Sequence, residues 1–318
     1  MPLKLTHPDK LLWPERGLTK ADLLAYYEAV ADRLLPHLAG RPLTLKRFND
    51  GVGGEGFFQK NAPASTPKSL GRYDTWTESS HRVVSYVVVD DLEGLRWCAQ
   101  SNALELHAWF SRVDMPERLD TCAFDLDPWS PEQDVFGAAL DIRASLSELG
   151  LDALVKTSGK RGLHVYVPIE RDYAFSEVSA FALGVCRLVT SRRPDLYTVE
   201  MRKADREGRL LLDWSRANAG QTMVVAWSPR ATPTATVSTP LSWDEVGDRL
   251  NVTSLTLPAV LERSDPWVDN PVPPQRLETA AAALRADPEI SSTNNTGAFK
   301  SFEICAVDPR SSCQSLPS

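Results

Sequence analysis

Two apolar runs of this 318-residue sequence carry aspartate where a buried strand normally carries none. In TCAFDLDP, residues 121–128, Asp125 and Asp127 interrupt the core-type residues Cys122, Ala123, Phe124 and Leu126. Residues two apart on a strand share a face, so the two carboxylates stand side by side, roughly 6.5 Å apart along the chain. There they repel, and burying either charge unpaired is expensive. Such a strand cannot be sealed into a core. RLLLDWS, residues 209–215, repeats the pattern with Asp213 as the single acid of an apolar strand. A DxD alone equally fits a strand end or turn, but a third in-strand acid favours a cation. Mg²⁺ or Mn²⁺ takes oxygen ligands and replaces repulsion with attraction. Phosphoryl-transfer sites commonly hold two such ions about 3.5–4 Å apart.

The surrounding runs set the fold class. A helix is expected from Thr19, with Asp22 in its first turn and Leu23, Leu24, Tyr27, Val30, Leu34 and Leu35 at helical spacing as far as Pro36. RPLTLKRF reads as a strand, NDGVGGEG as a glycine-rich turn or loop, and RVVSYVVVD as a buried strand. DVFGAALDIRASLSELG is an amphipathic helix closed by Gly150. LDALVKTSG and LHVYVPIE are strands around a short loop, SEVSAFALGVCRLVTSRRP a helix, and YTVEM, GRLLLDWS and TMVVAWSPR further strands. Helices and strands interleave without a strict repeat, which gives an α/β or α+β class with a mixed sheet. With 42% hydrophobic residues the chain can bury a large core, read as one two-lobed unit over residues 1–290. Pro, Thr and Ser become frequent after about residue 230, and residues 291–318 lack periodicity, as a flexible tail does.

No run approaches the roughly 18 consecutive apolar residues of a membrane span. The N-terminus has no signal-peptide apolar region, so a cytoplasmic protein without a membrane partner is expected. Five cysteines, scattered and without a CxxC pair, support neither a zinc ribbon nor a disulfide framework. A net charge of −7 argues against nucleic-acid binding through bulk charge. The charge is segregated, however: −9 over residues 61–155 and +5 over residues 156–230. Phosphate binding needs a local positive field, not a positive total. Chance also produces such segregation, so the motifs must decide.

KTSGKRGLHVYVPI, residues 156–169, sets Lys156, Ser158, Gly159, Lys160, Gly162 and His164 around a tight turn between apolar strands. Glycines let backbone N–H groups approach an anion, while Lys and Ser add charge and donors. The alternative is a hairpin with solvated basic residues and a structural His. The spacing is not that of a P-loop. In LKRFNDGVGGEGFFQKNAP a flexible loop joins Lys46 and Arg47 to Phe57 and Phe58. On a loop beside basic residues these rings can stack on bases; on a strand, one of the two is usually core. His107 is either a polar strand residue or a ligand contact, and Arg230 ends a strand where it could reach a phosphate.

Taken together, these residues resemble the archaeo-eukaryotic primase superfamily, and more narrowly the polymerase domain of bacterial DNA ligase D and its stand-alone actinobacterial relatives. The motifs THPDKLLWPERGLTKADLLAYY, GGEGFFQKNAP, FDLDP, KTSGKRGLHVYVPI, LLLDWS and VSTPLSWDEV follow the family's order over roughly residues 5–250. The resemblance implies a primase-like two-lobed catalytic fold with mixed sheets flanked by helices. It implies Asp125, Asp127 and Asp213 as ligands of two Mn²⁺ or Mg²⁺ ions. Lys46, Ser158, Lys160, His164, Arg216 and Arg230 would serve the nucleotide, with His107 near its sugar. Phe57 and Phe58 would pack on templating bases, and Lys10 and Lys20 would recognise the 5′-phosphate across a gap. The implied partners are DNA, NTPs or dNTPs, a DNA ligase and an end-binding protein.

The implied function is gap filling and end extension in break repair. A de novo primase, a nuclease using the same acids, and a DNA-end-binding module that recruits a ligase are the rivals. One departure stands out: the family often has Gln-Asn where this chain has Arg216 and Ala217.

Overall fold

The computed structural model describes residues 4–77, 81–218 and 220–287. The expected tail, residues 291–318, lies outside them. Two sheets form the framework, each flanked by helices, as the mixed α/β reading requires.

The first sheet runs in the order Tyr197–Thr198, Leu210–Asp213, Thr121–Leu126, Leu163–Pro168, Leu154–Thr157, Pro240–Leu241. All neighbours are antiparallel except the first pair. Cys122, Phe124 and Leu126 are fully buried, and Cys122 lies near Cys186 on the helix Phe175–Arg192. Strand alternation therefore turns Asp125 to the opposite face, away from the helices. A second helix, Val135–Glu148, ends as expected before Gly150, whose φ of 76° is the left-handed cap that glycine adopts most readily.

The second sheet runs Met223–Val224, Ala103–Ala108, Leu43–Phe48, Arg82–Val88, Gly71–Thr77. The strand Gly56–Gln59 pairs with the distal half of Leu43–Phe48. Helices Lys20–Ala29 and Leu92–Gln100 pack together, and the Tyr27 hydroxyl donates to Ala103 O at 2.8 Å.

Four expectations need correction. The first helix starts at its Thr19–Asp22 capping box, worth about 1 kcal/mol. It breaks at Val30, however, and continues as Ala31–Leu34 and a 3₁₀ turn Leu35–His37. Beyond the break Arg33 donates to Val260 O and Arg263 O, and such tertiary contacts outweigh helix propensity. YTVEM contributes only Tyr197–Thr198. TMVVAWSPR contributes only Met223–Val224, because the chain turns at Trp227, whose φ is 65°. That turn buries the indole completely and gives its N–H to Asp265 at 2.9 Å. Finally, Phe57 and Phe58 sit on a strand and not on a loop, yet neither is core.

The polar segment after residue 230 is largely buried, with Ser238 and Thr239 fully inaccessible. It can be, because its hydroxyls are bonded: Thr239 Oγ1 donates to Val237 O, and Ser238 Oγ to Thr157 O at 2.7 Å. Among the described residues no helix is long and apolar enough to cross a membrane.

Candidate active site

The antiparallel register sets four ionisable residues in one row across the first sheet. Asp213 is opposite Asp125, Asp125 opposite His164, and His164 opposite Lys156. Neighbouring strands lie about 4.8 Å apart, so each side chain reaches the next.

Asp125 Oδ1 is 3.3 Å from His164 Nε2, and Lys156 Nζ is 2.7 Å from His164 Nδ1. Burial works to raise the Asp125 carboxyl pKa. The His164 ring, then Arg216 and Lys156, overcome that and hold it at about 2. An ionised Asp125 only accepts, so the ring proton sits on Nε2 and Lys156 donates to Nδ1. Lys156 also donates to Ser238 Oγ at 2.6 Å. Lys156 is fully buried, and burial, reinforced by the charge of Arg230, pushes its pKa well down. The relay Ser238–Lys156–His164–Asp125 thus fixes one tautomer and one ring orientation.

His164 itself is pushed to about 4, chiefly by burial and then by Lys156. Its folded value lies below the ordinary 6.5, so the unfolded chain binds more protons between those values. Stability from this group is full above pH 6.5 and is lost as pH falls toward 4, up to about 3 kcal/mol. Thermal melts should therefore show a falling Tm from pH 6.5 to 4.5. His164→Gln should flatten part of that slope, with His37 and His107, also held low by burial, carrying the rest. An unchanged slope in the variant would remove His164 from the account.

Asp213 is fixed from behind: its Oδ1 accepts from Ser215 N at 2.8 Å and Ser215 Oγ at 2.6 Å. Asp127 lies one residue past the end of its strand and is exposed. Partial desolvation by the protein beside it, and then the charge of Asp125, raise its pKa against the pull of Arg161, Lys160 and Arg230. Arg216 reaches both strand acids, with Nη2 3.1 Å from Asp125 Oδ2 and 2.9 Å from Asp213 Oδ2. As the side chains stand, no three Asp, Glu, His or Cys groups among the described residues converge as a ready-made ion site. The donor set nevertheless fits hard divalent ions. Two carboxylates already meet at one cationic nitrogen, and Mg²⁺-type ions typically take one or two carboxylates and complete their shell from water and substrate phosphates.

The opposite wall comes from the second sheet. Lys46 pairs across strands with Glu105, and Thr44 with His107. Glu105 is almost completely buried and gathers the basic residues around it. His107 Nε2 is at 3.0 Å, Arg230 Nε at 3.5 Å and Lys46 Nζ at 3.9 Å, while Ala231 N donates to it at 3.1 Å. Burial alone would raise the Glu105 pKa, but these partners hold it at about 2. Phe58 meets His107 edge-on at 5.5 Å and carries Lys46 over its face.

Between the walls lies a cleft of about 200 Å³ lined by His107, Asp125, Asp127, Ser158, Lys160, His164, Arg216 and Arg230, with Thr222, Met223 and Val224. The expected nucleotide residues thus converge, Lys46 standing just behind through Glu105. The loop after Lys156 differs from expectation. Its N–H groups turn inward and not toward an anion: Lys160 N and Gly162 N donate to Ser158 Oγ at 3.2 and 3.0 Å, and Gly159 N to Thr157 Oγ1. Ser158 Oγ thereby spends its acceptor capacity on the loop and keeps its O–H to donate into the cleft.

Lys10 and Lys20 come together elsewhere, on the short Leu11–Trp13/Leu18–Thr19 hairpin and the start of the first helix, with Lys20 N donating to Lys10 O at 2.8 Å. Lys20 is buried, and burial, then Lys10 and Arg47, lower its pKa. No acid among the described residues pairs with Lys20, whereas Lys10 has Asp50 at 3.8 Å.

Sequence reading missed Glu105, Lys156 as a partner of His164, and Ser238. The available signal for Lys156 was a lysine inside an apolar strand, and for Glu105 an acid two residues before His107 on the same face.

Fold and site define a nucleotidyltransferase of the primase-polymerase kind. The chain belongs to the LigD primase-polymerase domain family, whose sequence model matches residues 19–270. It is 35% identical over 271 residues to the multifunctional non-homologous end joining protein LigD of Mycolicibacterium smegmatis, a match covering 84% of this chain and 35% of that protein. The bifunctional non-homologous end joining protein LigD of Bacillus subtilis is 30% identical over 266 residues, covering 82% of this chain and 42% of that protein. The chain therefore spans roughly a third to two fifths of these relatives. Among solved structures it matches the polymerase domain from Mycobacterium tuberculosis ligase D in complex with DNA. The TM-score is 0.78 at 31% identity, covering 84% of this chain and 97% of that one.

Proposed function

We propose that this chain is a DNA-dependent nucleotidyltransferase that fills short gaps and extends ends in break repair by non-homologous end joining. The observation carrying this reading is the Asp213–Asp125–His164–Lys156 row facing the Lys46–His107–Arg230 wall across one small cleft. The acids and bases match what a triphosphate and its metal ions need. Two Mn²⁺ or Mg²⁺ ions, when bound by Asp125, Asp127 and Asp213, would acidify the primer 3′-hydroxyl and offset charge on the pyrophosphate.

The chain's own residues do the positioning. Arg230, Lys160 and Lys46 supply the positive field for the triphosphate, and Ser158 offers its O–H to it. His164, with its proton on Nε2, keeps Asp125 oriented at the cleft. Glu105 fixes the basic groups in one arrangement, so that little reorganisation accompanies binding. Phe57 and Phe58, 42% and 59% exposed, each carry a cation over one face and would take template bases on their exposed side. The likeness to a polymerase domain of a ligase D in complex with DNA supports DNA as the substrate and a ligase as a partner, and an end-binding protein completes the proposed set.

The test is extension of a labelled primer across a short 5′-phosphorylated gap, with Mn²⁺ or Mg²⁺ and with NTPs or dNTPs. Metal-dependent growth supports the reading, a shortened product indicates a nuclease, and growth without primer a primase. Gap binding without growth supports a recruiting module.

Lys10 and Lys20 form a cationic pair remote from the cleft in sequence, with Asp50 beside Lys10 and no acid on Lys20 among the described residues, a charge surplus that suits a 5′-phosphate. Replacing both with Ala should erase the preference for phosphorylated over unphosphorylated gaps while extension on open templates persists. Equal loss on both substrates would reassign the pair to general DNA binding or folding.

A further inference from the structure

Arg216 is where this chain departs from the family pattern, and it sits between two acids of the site. It lies in the 3₁₀ turn Ser215–Ala217 immediately after the strand that ends in Asp213. The tight turn brings position 216 back over position 213, and a single nitrogen, Nη2, meets Asp125 Oδ2 at 3.1 Å and Asp213 Oδ2 at 2.9 Å. We infer that Arg216 is a built-in cation that holds the seat between Asp125 and Asp213 until a divalent ion displaces it, and so sets the ion concentration the enzyme needs. The inference rests on the proposed ion-binding role of these acids.

Three features support displacement over permanent structure. An ion bound to the same oxygens sits about 2.0–2.1 Å from them, which would leave the guanidinium a few ångströms from a doubly charged centre with its two contacts taken. The arginine is also poorly held. Strong arginine–carboxylate pairs use two parallel N–H donors on one carboxylate, whereas here one nitrogen is shared by two acids. Its Nε is buried without a hydrogen-bond partner among the described residues. Lastly, its side chain is 31% exposed and lines the nucleotide cleft, so it has an open direction in which to move. A glutamine at this position carries no charge and could not hold the seat.

The test is Mn²⁺ binding to the nucleotide-free protein, followed by the electron-paramagnetic-resonance signal of free Mn²⁺. Wild type would be compared with Arg216→Gln, Arg216→Lys, Asp213→Asn and, as a charge control, Arg161→Gln. Arg161 acts on Asp127 through its charge and bridges no two acids among the described residues. Arg216→Gln should tighten Mn²⁺ about tenfold, Arg216→Lys and Arg161→Gln should change it less than about threefold, and Asp213→Asn should weaken it. Equal affinity in Arg216→Gln and wild type, with Asp213→Asn still weakened, overturns the competition and leaves the ion site standing. Equal tightening by Arg161→Gln also overturns it, because general charge would then explain the effect. Binding insensitive to Asp213→Asn removes the ion site and the inference with it. Circular dichroism of each variant checks the fold.

Discussion

Asp125→Ala should abolish nucleotide addition, by at least about 10³-fold in kcat, while the protein stays folded. Asp125 is the one acid of the row that touches both neighbours: His164 on one side, and on the other Arg216, the cation it shares with Asp213. Removing it takes away a ligand oxygen and leaves the His164 Nε2–H without its acceptor. Stability is expected to fall by about 1–3 kcal/mol, since a buried N–H loses its acceptor and Arg216 loses one of its two acids, which is too little to unfold the chain. Single-turnover primer extension beside a thermal melt separates the two effects. Full activity in the variant would sink the catalytic assignment, and an unfolded variant would transfer the test to Asp125→Asn, which keeps the side chain's shape.

Gly159→Ala should damage both stability and nucleotide affinity. Gly159 has φ +70°, and a Cβ there would meet Arg230 Cγ at 2.4 Å, Ser238 N at 2.9 Å and Val237 C at 3.0 Å. Arg230 can move, but the backbone of the buried 237–238 segment cannot follow without breaking its bonds to Thr157. The expected loss is about 2–4 kcal/mol, from left-handed strain plus overpacking. KM for the nucleotide should rise as Arg230 is pushed from the cleft. Gly17→Ala is the control: its φ is +64° with nothing within 4 Å, so it should cost only about 1 kcal/mol and leave KM alone. Equal losses from the two substitutions would mean that conformation, not contact, is what Gly159 supplies.

Much of this was legible in the chain itself. In-strand acids announce themselves because charge is rare in a core strand, so Asp125 and Asp213 could be read directly, and the alternation of periods gave the class. Cross-strand register is what one sequence hides. That Lys156 neighbours His164 depends on a hairpin alignment, and that Glu105 meets Lys46 and Arg230 depends on three distant segments. The inward turn of the N–H groups in the 158–162 loop could not be read either, since Ser158 is equally able to donate to an anion or to accept from its own loop. Arg216 was visible as a departure, but its two partners follow from a three-residue turn whose geometry no composition specifies.

The row is also assembled from well-separated segments of the chain and not from neighbours. Its members enter with Asp125, then Lys156 and His164, then Asp213, and the Ser238 that steadies Lys156 comes last. During synthesis Asp125 therefore emerges before Lys156, His164 and Arg216, the groups that compensate it. A chain stopped before Ser238 would leave the Leu154–Thr157 strand at the edge of the sheet, with Lys156 lacking its hydroxyl partner. Acquisition of activity should coincide with closure of the whole sheet, which makes nucleotide transfer itself a reporter of complete, late, non-local folding.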